Sequence, residues 1–114
     1  MKFYVVRHGQ TSWNTLGINQ GWSDIELNAT GMFQALKARE ELKNVRFSIA
    51  YSSPLQRAAR TCQIILGRCT PDKSIFNDLS LEDSIELNHI YQDKELLNAN
   101  CFIRYSEDLI ERGL

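Results

Sequence analysis

The chain has 114 residues, of which 43% are hydrophobic and 24% are charged. This length suits a single domain over residues 1–114, and the hydrophobic fraction excludes a disordered polymer. Thirteen Lys and Arg residues against fourteen Asp and Glu residues give a net charge of −1, which argues against a nucleic-acid-binding surface.

The longest apolar run near the N-terminus, residues 3–6, is too short for a secretory signal or a membrane span, so we expect no membrane partner. The three cysteines form no CxxC pair, and their odd number argues against a disulfide framework or a zinc site. Reduced thiols in a cytoplasmic protein are the simplest interpretation. Cys62 lies in an apolar helical stretch and is predicted to be a small core residue.

The first predicted element is a strand over residues 2–6, where β-branched and aromatic residues follow one another without alternation, as in a strand buried on both faces of a parallel sheet. A loop rich in Gly, Asn, Ser and Thr follows. Asn28 predicts the N-cap of a helix that continues to about residue 43. One face of this helix carries small and apolar residues suited to close approach to a sheet, and charged residues such as Arg39 lie largely elsewhere. That face comprises Gly31, Ala35, Ala38 and Leu42.

Residues 47–51 predict the next strand. Ser53 and Pro54 predict the N-cap and the first residue of a second helix, which ends near Gly67, a typical residue after a helix C-terminus. Residues 74–76 predict a third, short strand. This alternation of strands and helices is typical of right-handed βαβ units, so the predicted fold class is α/β with a parallel sheet.

The tail, residues 79–114, has weaker signals. Ser80 and Asp83 resemble a capping box at the start of a helix. Residues 94–99 and 106–112 predict further helical pieces. The residues of the tail, taken alone, show no catalytic or binding motif.

Polar side chains follow the first two predicted strands at their carboxyl ends, where ligands bind in open α/β sheets. Arg7, His8 and Gly9 follow the first strand, and Ser52–Pro54 with Arg57 follow the second. Arg57 lies in the first turn of a helix, whose free N–H groups favour an anion. Two guanidinium groups at such an end predict a phosphate site.

A neutral imidazole that faces an electrophilic phosphorus can act as a nucleophile, so His8 predicts a phosphohistidine intermediate. Arg7 and Arg57 would neutralise the phosphoryl oxygens, and no metal or other cofactor is therefore expected. Thr11 and Asn14 add a hydroxyl and an amide donor. The alternatives are a structural histidine at position 8 and a solvated surface charge at position 57.

Motifs at fixed spacings cover residues 1 to about 66, and they comprise Arg7 to Asn14, Gln20 to Asp24, Leu27, Gly31, Gln34-Ala35, Ser52 to Ala58 and Thr61. Together they resemble the N-terminal half of the histidine phosphatase superfamily, in its phosphoglycerate mutase-like branch. The resemblance implies a parallel-sheet αβα sandwich, truncated relative to the family. It also implies a phosphohydrolase or mutase that acts on a small phosphorylated metabolite.

The resemblance assigns roles to individual residues. His8 is the phosphorylated nucleophile, and Arg7, His8, Asn14 and Arg57 bind the phosphoryl group. The loop from Asn14 to Trp22 borders the substrate, and the residues assigned to substrate contact are Thr11, which precedes this loop, and Gln20 and Gly21 within it. The family's proton donor follows the third strand, and Asp83 aligns with it, with Glu82 beside it. The alternative for both acidic residues is that they cap a helix.

The chain departs from the family in one further respect. The family supplies a second histidine, followed by glycine, from a later strand, and nothing here matches it. His89 is followed by Ile90 and is interpreted as structural, because no spaced partner completes a metal site. Three hypotheses remain open: an active enzyme, a degenerate relative that binds inorganic phosphate or phosphoesters without turnover, and a half-domain whose missing segment comes from a partner or a second copy. In a truncated fold an exposed parallel sheet edge must be covered by the tail or by another chain, for instance in a homodimer.

Overall fold

The computed structural model describes residues 27–93 and 95–106 of the chain, so the strand predicted over residues 2–6 lies outside the described part. The described residues form helices and two short strands in alternating order. In chain order these are α1 (Ala29–Leu42), β1 (Ile49–Ser52), α2 (Gln56–Leu66), a 3-10 helix (Lys73–Ile75), α3 (Leu81–Gln92) and β2 (Phe102–Tyr105).

Strands β1 and β2 pair in parallel, with Ile49 opposite Phe102 and Ser52 opposite Tyr105. A parallel pair requires a long crossover, and here α2, the 3-10 helix and α3 occupy it. Helix α2 packs against β1. This mixture of helices and parallel strands confirms the α/β fold class.

The sequence did not predict β2, and the helical piece predicted over residues 94–99 is wrong for the residues described there. Residues 97–100 form turns instead, in which the N–H of Ala99 donates to Leu96 and that of Cys101 donates to Asn98. Asparagine favours such turns because its side chain competes for backbone hydrogen bonds. The turns redirect the tail so that β2 pairs with β1.

Asn98 attaches this tail to the segment before β1. Its buried side chain donates from Nδ2 to the carbonyl of Val45 at 2.7 Å and accepts at Oδ1 from the N–H of Phe47 at 2.9 Å. Arg68 adds hydrogen bonds to the carbonyls of Ala99 and Cys101. The side chains of Asn98 and Arg68 therefore hold the tail against the rest of the chain.

Helix α1 begins where the sequence predicts. Asn28 is the N-cap, and its Oδ1 accepts from the N–H of Gly31 at 2.9 Å. Among the described elements α1 packs mainly on α2 and also contacts α3. Ala35 lies in the apolar cluster that joins α1 to α2 and α3, and Gly31 is buried. The packing of this face against a sheet, which the sequence predicts, stays a prediction because the first predicted strand lies outside the described residues.

Helix α2 begins at Gln56, so the predicted start at Ser53 and Pro54 is wrong. The Ser53 hydroxyl accepts from the N–H of Leu55, two residues on, and this local turn precedes the helix instead of capping it. The predicted end is confirmed, because Gly67 has a left-handed φ of 84°. A Cβ on Gly67 would lie 2.8 Å from the Cβ of Leu96, so both conformation and space favour glycine.

The strand predicted over residues 74–76 is also wrong, because residues 73–75 form the 3-10 helix. The Asp72 carboxylate accepts from the N–H of Ser74 at 2.9 Å, which turns the chain, and this hydrogen bond lowers the pKa of Asp72. Helix α3 starts as predicted, with the Ser80 hydroxyl accepting from the N–H of Asp83 at 3.1 Å.

The core consists of two apolar clusters. The larger one joins the three helices through fully or nearly fully buried side chains, each of which contributes roughly 1.5–3 kcal/mol by leaving water. Its members include Leu36, Ile64, Leu87 and Ile90. The smaller one joins α2 to the tail through Leu66, Cys101 and Ile103, with Cys62 packed against it.

Arg39 lies in the interior, contrary to the sequence-based expectation that it belongs to the charged faces of α1. Its guanidinium donates from Nε to the carbonyl of Ile64 at 2.7 Å and from Nη2 to the carbonyl of Cys69 at 2.8 Å. A third bond reaches the hydroxyl of Thr70. Burial lowers the pKa of Arg39. The side chain fixes the C-terminal end of α2 against α1.

Candidate functional site

Arg57 is the predicted site residue that the structure describes in most detail. It lies in the first turn of α2, directly beyond the carboxyl end of β1, and only 1% of its surface is exposed. It is therefore not a solvated surface charge. A guanidinium removed from water is stable only with hydrogen-bonding or charged partners, so its burial here indicates a built polar environment.

Three local hydrogen bonds shape the backbone around Arg57. The Ser52 hydroxyl donates to the carbonyl of Ser53 at 2.8 Å, and the Ser53 hydroxyl accepts from Leu55. The Thr61 hydroxyl donates to the carbonyl of Arg57 at 2.7 Å. The N-terminal end of α2 supplies further N–H groups and a partial positive charge. A helix N-terminus of this kind can bind an anion, and the phosphate site at Arg57 stays a prediction.

The carboxyl end of β2 lies beside the same edge of the sheet. The N–H of Ser106 donates to the carbonyl of Ser52 at 2.9 Å, which extends the parallel pairing by one residue beyond β2. Ligands of α/β folds bind at such carboxyl ends. The tail therefore contributes to the edge that carries Arg57, although the sequence indicated no chemistry there.

Asp83, the predicted proton donor, lies in the first turn of α3 and is half-buried. Its N–H bonds to Ser80, and its carboxylate forms no ion pair within residues 27–93 and 95–106. Its neighbour Glu82 is exposed. The described contacts fit a helix-capping segment, and a role as an acid remains a prediction.

His89 occupies an exposed position on α3, where its Nε2 lies 3.4 Å from Oε1 of Glu40 on α1. The same Glu40 oxygen accepts from Nζ of Lys43 at 2.8 Å. This contact between two helices agrees with the structural role predicted for His89. In the described part of the chain, no group of three His, Cys, Asp or Glu residues could hold a metal ion.

The remaining predicted site residues lie outside the described residues, and their roles stay predictions. They are Arg7, His8, Thr11, Asn14, Gln20 and Gly21. Within the part of the chain that the structure covers, no helix has the length and apolar character needed to cross a membrane.

Cys62 is expected to be a poor nucleophile. Burial, followed by the nearby Cys101, raises the pKa of its thiol from 9.0 to about 11. Because only the thiolate reacts, its alkylation by iodoacetamide at pH 8 should be about 100-fold slower in the folded chain than in denaturant. Peptide mass spectrometry at timed intervals measures this rate, and equal rates in the two states would contradict the prediction.

The same raised pKa predicts a pH dependence of stability. The folded state holds the Cys62 proton more tightly than the unfolded state, so the free energy of unfolding falls as pH rises from 9.0 to about 11. The variant Cys62→Ala lacks this contribution, and its free energy of unfolding should decline less over that range.

Comparison with known proteins places the chain in a family. The family model described as histidine phosphatase superfamily (branch 1) matches residues 3–81. A 2,3-bisphosphoglycerate-dependent phosphoglycerate mutase of Bartonella tribocorum is 45% identical over 99 residues, which is 84% of this chain and 46% of that protein. The chain thus spans less than half the length of such relatives.

Two solved structures are similar to this chain. The phosphoglycerate mutase from Bacillus anthracis superposes with a TM-score of 0.64 at 27% identity, over 95% of this chain and 36% of that one. A phosphoserine phosphatase variant from Entamoeba histolytica, solved with phosphoserine, gives 0.50 at 48% identity, over 54% of this chain and 30% of that one. From the family match and this shared architecture, the chain belongs to the histidine phosphatase superfamily, branch 1.

Proposed function

We propose that this protein transfers a phosphoryl group from a small phosphorylated metabolite through a phosphohistidine on His8. The observation that carries the proposal is the burial of Arg57 at the N-terminus of α2, directly beyond a parallel strand. The matched family and the similar proteins, which are named as phosphoglycerate mutases and a phosphoserine phosphatase, support the same chemistry.

In the proposed mechanism, the planar fork of Arg57 binds two phosphoryl oxygens, and the N–H groups of α2 add to the positive field. Arg7 and Asn14 complete the binding of the anion. The His8 nitrogen forms a bond to phosphorus as the bond to the leaving oxygen breaks, and Asp83 gives that oxygen a proton. Water or a second hydroxyl group then takes the phosphoryl group from His8, which gives hydrolysis or a mutase reaction.

The test is covalent labelling with radiolabelled phosphoglycerate or phosphoserine. A phosphohistidine is lost in acid and retained in base, so the label on the wild-type chain should show that pattern. His8→Ala should carry no label. His89→Ala is the matched control and should be labelled as the wild type is, because His89 pairs with Glu40 on the surface. An acid-stable label, or label on His8→Ala, would rule the intermediate out.

A second candidate is a phosphate-binding relative without turnover. His89 is the only histidine of the sequence besides His8, and its pairing with Glu40 favours this alternative, since a second imidazole for the site must then come from elsewhere. Calorimetric binding of inorganic phosphate without any label or phosphate release would identify the binder. Release of phosphate that depends on His8 would identify the enzyme.

We assign this activity to the cytoplasm. The support is chemical: Cys62, Cys69 and Cys101 are all free thiols in the structure, and unpaired thiols persist in a reducing compartment.

A further inference from the structure

One face of the sheet formed by β1 and β2 is covered and the other is exposed. Ala50 and Ile103 contribute to the cluster between α2 and the tail. On the opposite face the register sets Ile49 beside Phe102 and Tyr51 beside Arg104. Phe102 is 63% exposed and Tyr51 61%. We call these four residues the outer sheet face. Parallel sheets are normally covered on both faces, so we expect another surface to pack on this one.

A second apolar surface lies on α3. Leu81 is 80% exposed and Ile85, one turn later, 61%. Glu82 and Glu86 form the adjacent row on the same helix, also one turn apart. We call these four residues the α3 stripe. It combines an apolar row with an acidic row on the outside of the molecule.

The two surfaces are complementary in charge. The outer sheet face carries Arg104, and Arg46 is exposed shortly before β1. The α3 stripe carries two carboxylates. Within one folded chain both surfaces remain exposed, so they do not cover each other there. A helix with one apolar row packing on an open sheet face is a standard layer arrangement in α/β proteins.

We propose that the outer sheet face of one copy binds the α3 stripe of a second copy. The contact buries Phe102 and Tyr51 against Leu81 and Ile85, and Arg104 faces the carboxylates. Since two different surfaces meet, the assembly is head-to-tail and grows into a ring or a short filament instead of stopping at a symmetric pair. The inference is independent of the phosphoryl-transfer proposal, because none of these residues belongs to that site.

The experiment uses two charge-reversed variants of the full chain. Variant one is Arg46→Glu with Arg104→Glu, and variant two is Glu82→Lys with Glu86→Lys. Each variant carries one sign of charge on both surfaces, so neither should associate alone. An equimolar mixture offers opposite signs and should associate. Glu41→Lys, an exposed reversal on α1, is the control and should behave as the wild type.

Sedimentation velocity over a range of concentrations measures the mass. We expect the wild-type mass to rise from the monomer value of 13.1 kDa to at least double, and the mixture to recover this rise. A wild type that stays monomeric throughout overturns the proposal. So does association of either variant alone to the wild-type extent, or a mixture that stays monomeric while the wild type associates. Thermal unfolding of each variant verifies that the reversals leave the fold intact.

Discussion

Arg57→Gln is expected to abolish phosphate binding and to lower the rate of phosphoryl transfer by about 10²–10³-fold, as loss of one preorganised transition-state donor does. The guanidinium is almost fully buried at the start of α2, where its field on an anion is weakly screened. Glutamine has a similar reach but no charge and no two-pronged donor. Calorimetry with inorganic phosphate and single-turnover kinetics with labelled substrate measure the two effects.

Two further variants separate this role from a structural one. Arg60→Gln removes an arginine one turn along the same helix, whose Nη1 lies 3.2 Å from Sγ of Cys69, and should leave phosphate binding unchanged. Arg57→Lys keeps the charge and fits the same space, so it should fold and bind phosphate with intermediate affinity. If the folded Arg57→Gln or Arg57→Lys chain binds phosphate as tightly as the wild type, Arg57 is not part of the anion site.

Asn98→Leu is expected to lower the free energy of unfolding by about 2–4 kcal/mol, because two partly buried backbone groups lose their partners, each at the lower end of the about 1–3 kcal/mol that a buried group costs. The carbonyl of Val45 loses its donor and the N–H of Phe47 loses its acceptor. Leucine has nearly the same volume, so the effect reports on hydrogen bonding and not on a cavity. Urea unfolding followed by circular dichroism measures it.

Asn100→Leu provides the comparison, since this asparagine lies in the same turn with an exposed side chain. It should change the free energy of unfolding by less than about 0.5 kcal/mol, as surface substitutions usually do. Asn98→Asp should lie between the two, because the carboxylate still accepts from Phe47 and no longer donates to Val45. A loss in Asn100→Leu equal to that in Asn98→Leu would contradict the role of Asn98 as the anchor that joins the tail to the segment before β1.

The helix boundaries were the most predictable features of the fold, because their signals are local. Asn28 and Ser80 cap their helices through hydrogen bonds to the N–H group three residues later, and Gly67 ends α2 through its own backbone conformation. The start of α2 was misplaced because Ser53 can equally bond two residues on. The strand β2 was missed because its partner lies far away in sequence, and its four residues show no alternation that marks a strand.

In the site, too, the local features were predictable from the sequence and the long-range contacts were not. The position of Arg57 after a strand and at a helix start follows from the order of elements, so the sequence predicted its place. Its burial does not follow from that order, because it depends on what packs over it. Arg39 was predicted to be exposed because a charged residue on an amphipathic helix normally faces solvent. It is buried because the folded chain brings the carbonyls of Ile64 and Cys69 within hydrogen-bonding distance of its guanidinium.

The anchor between Val45 and Asn98 spans 53 residues, which has a consequence for the order of folding. Closing a loop of that length costs roughly 3–4 kcal/mol of chain entropy before any strand contact forms. The contacts between α1 and α2 close shorter loops, such as the 25 residues between Arg39 and Ile64, and so form faster. The contact of α1 with α3 closes a loop about as long as the anchor does, as the pairing of Glu40 with His89 shows. We expect α1 and α2 to assemble first, and α3 and β2 to dock later, when the edge beside Arg57 acquires its second strand.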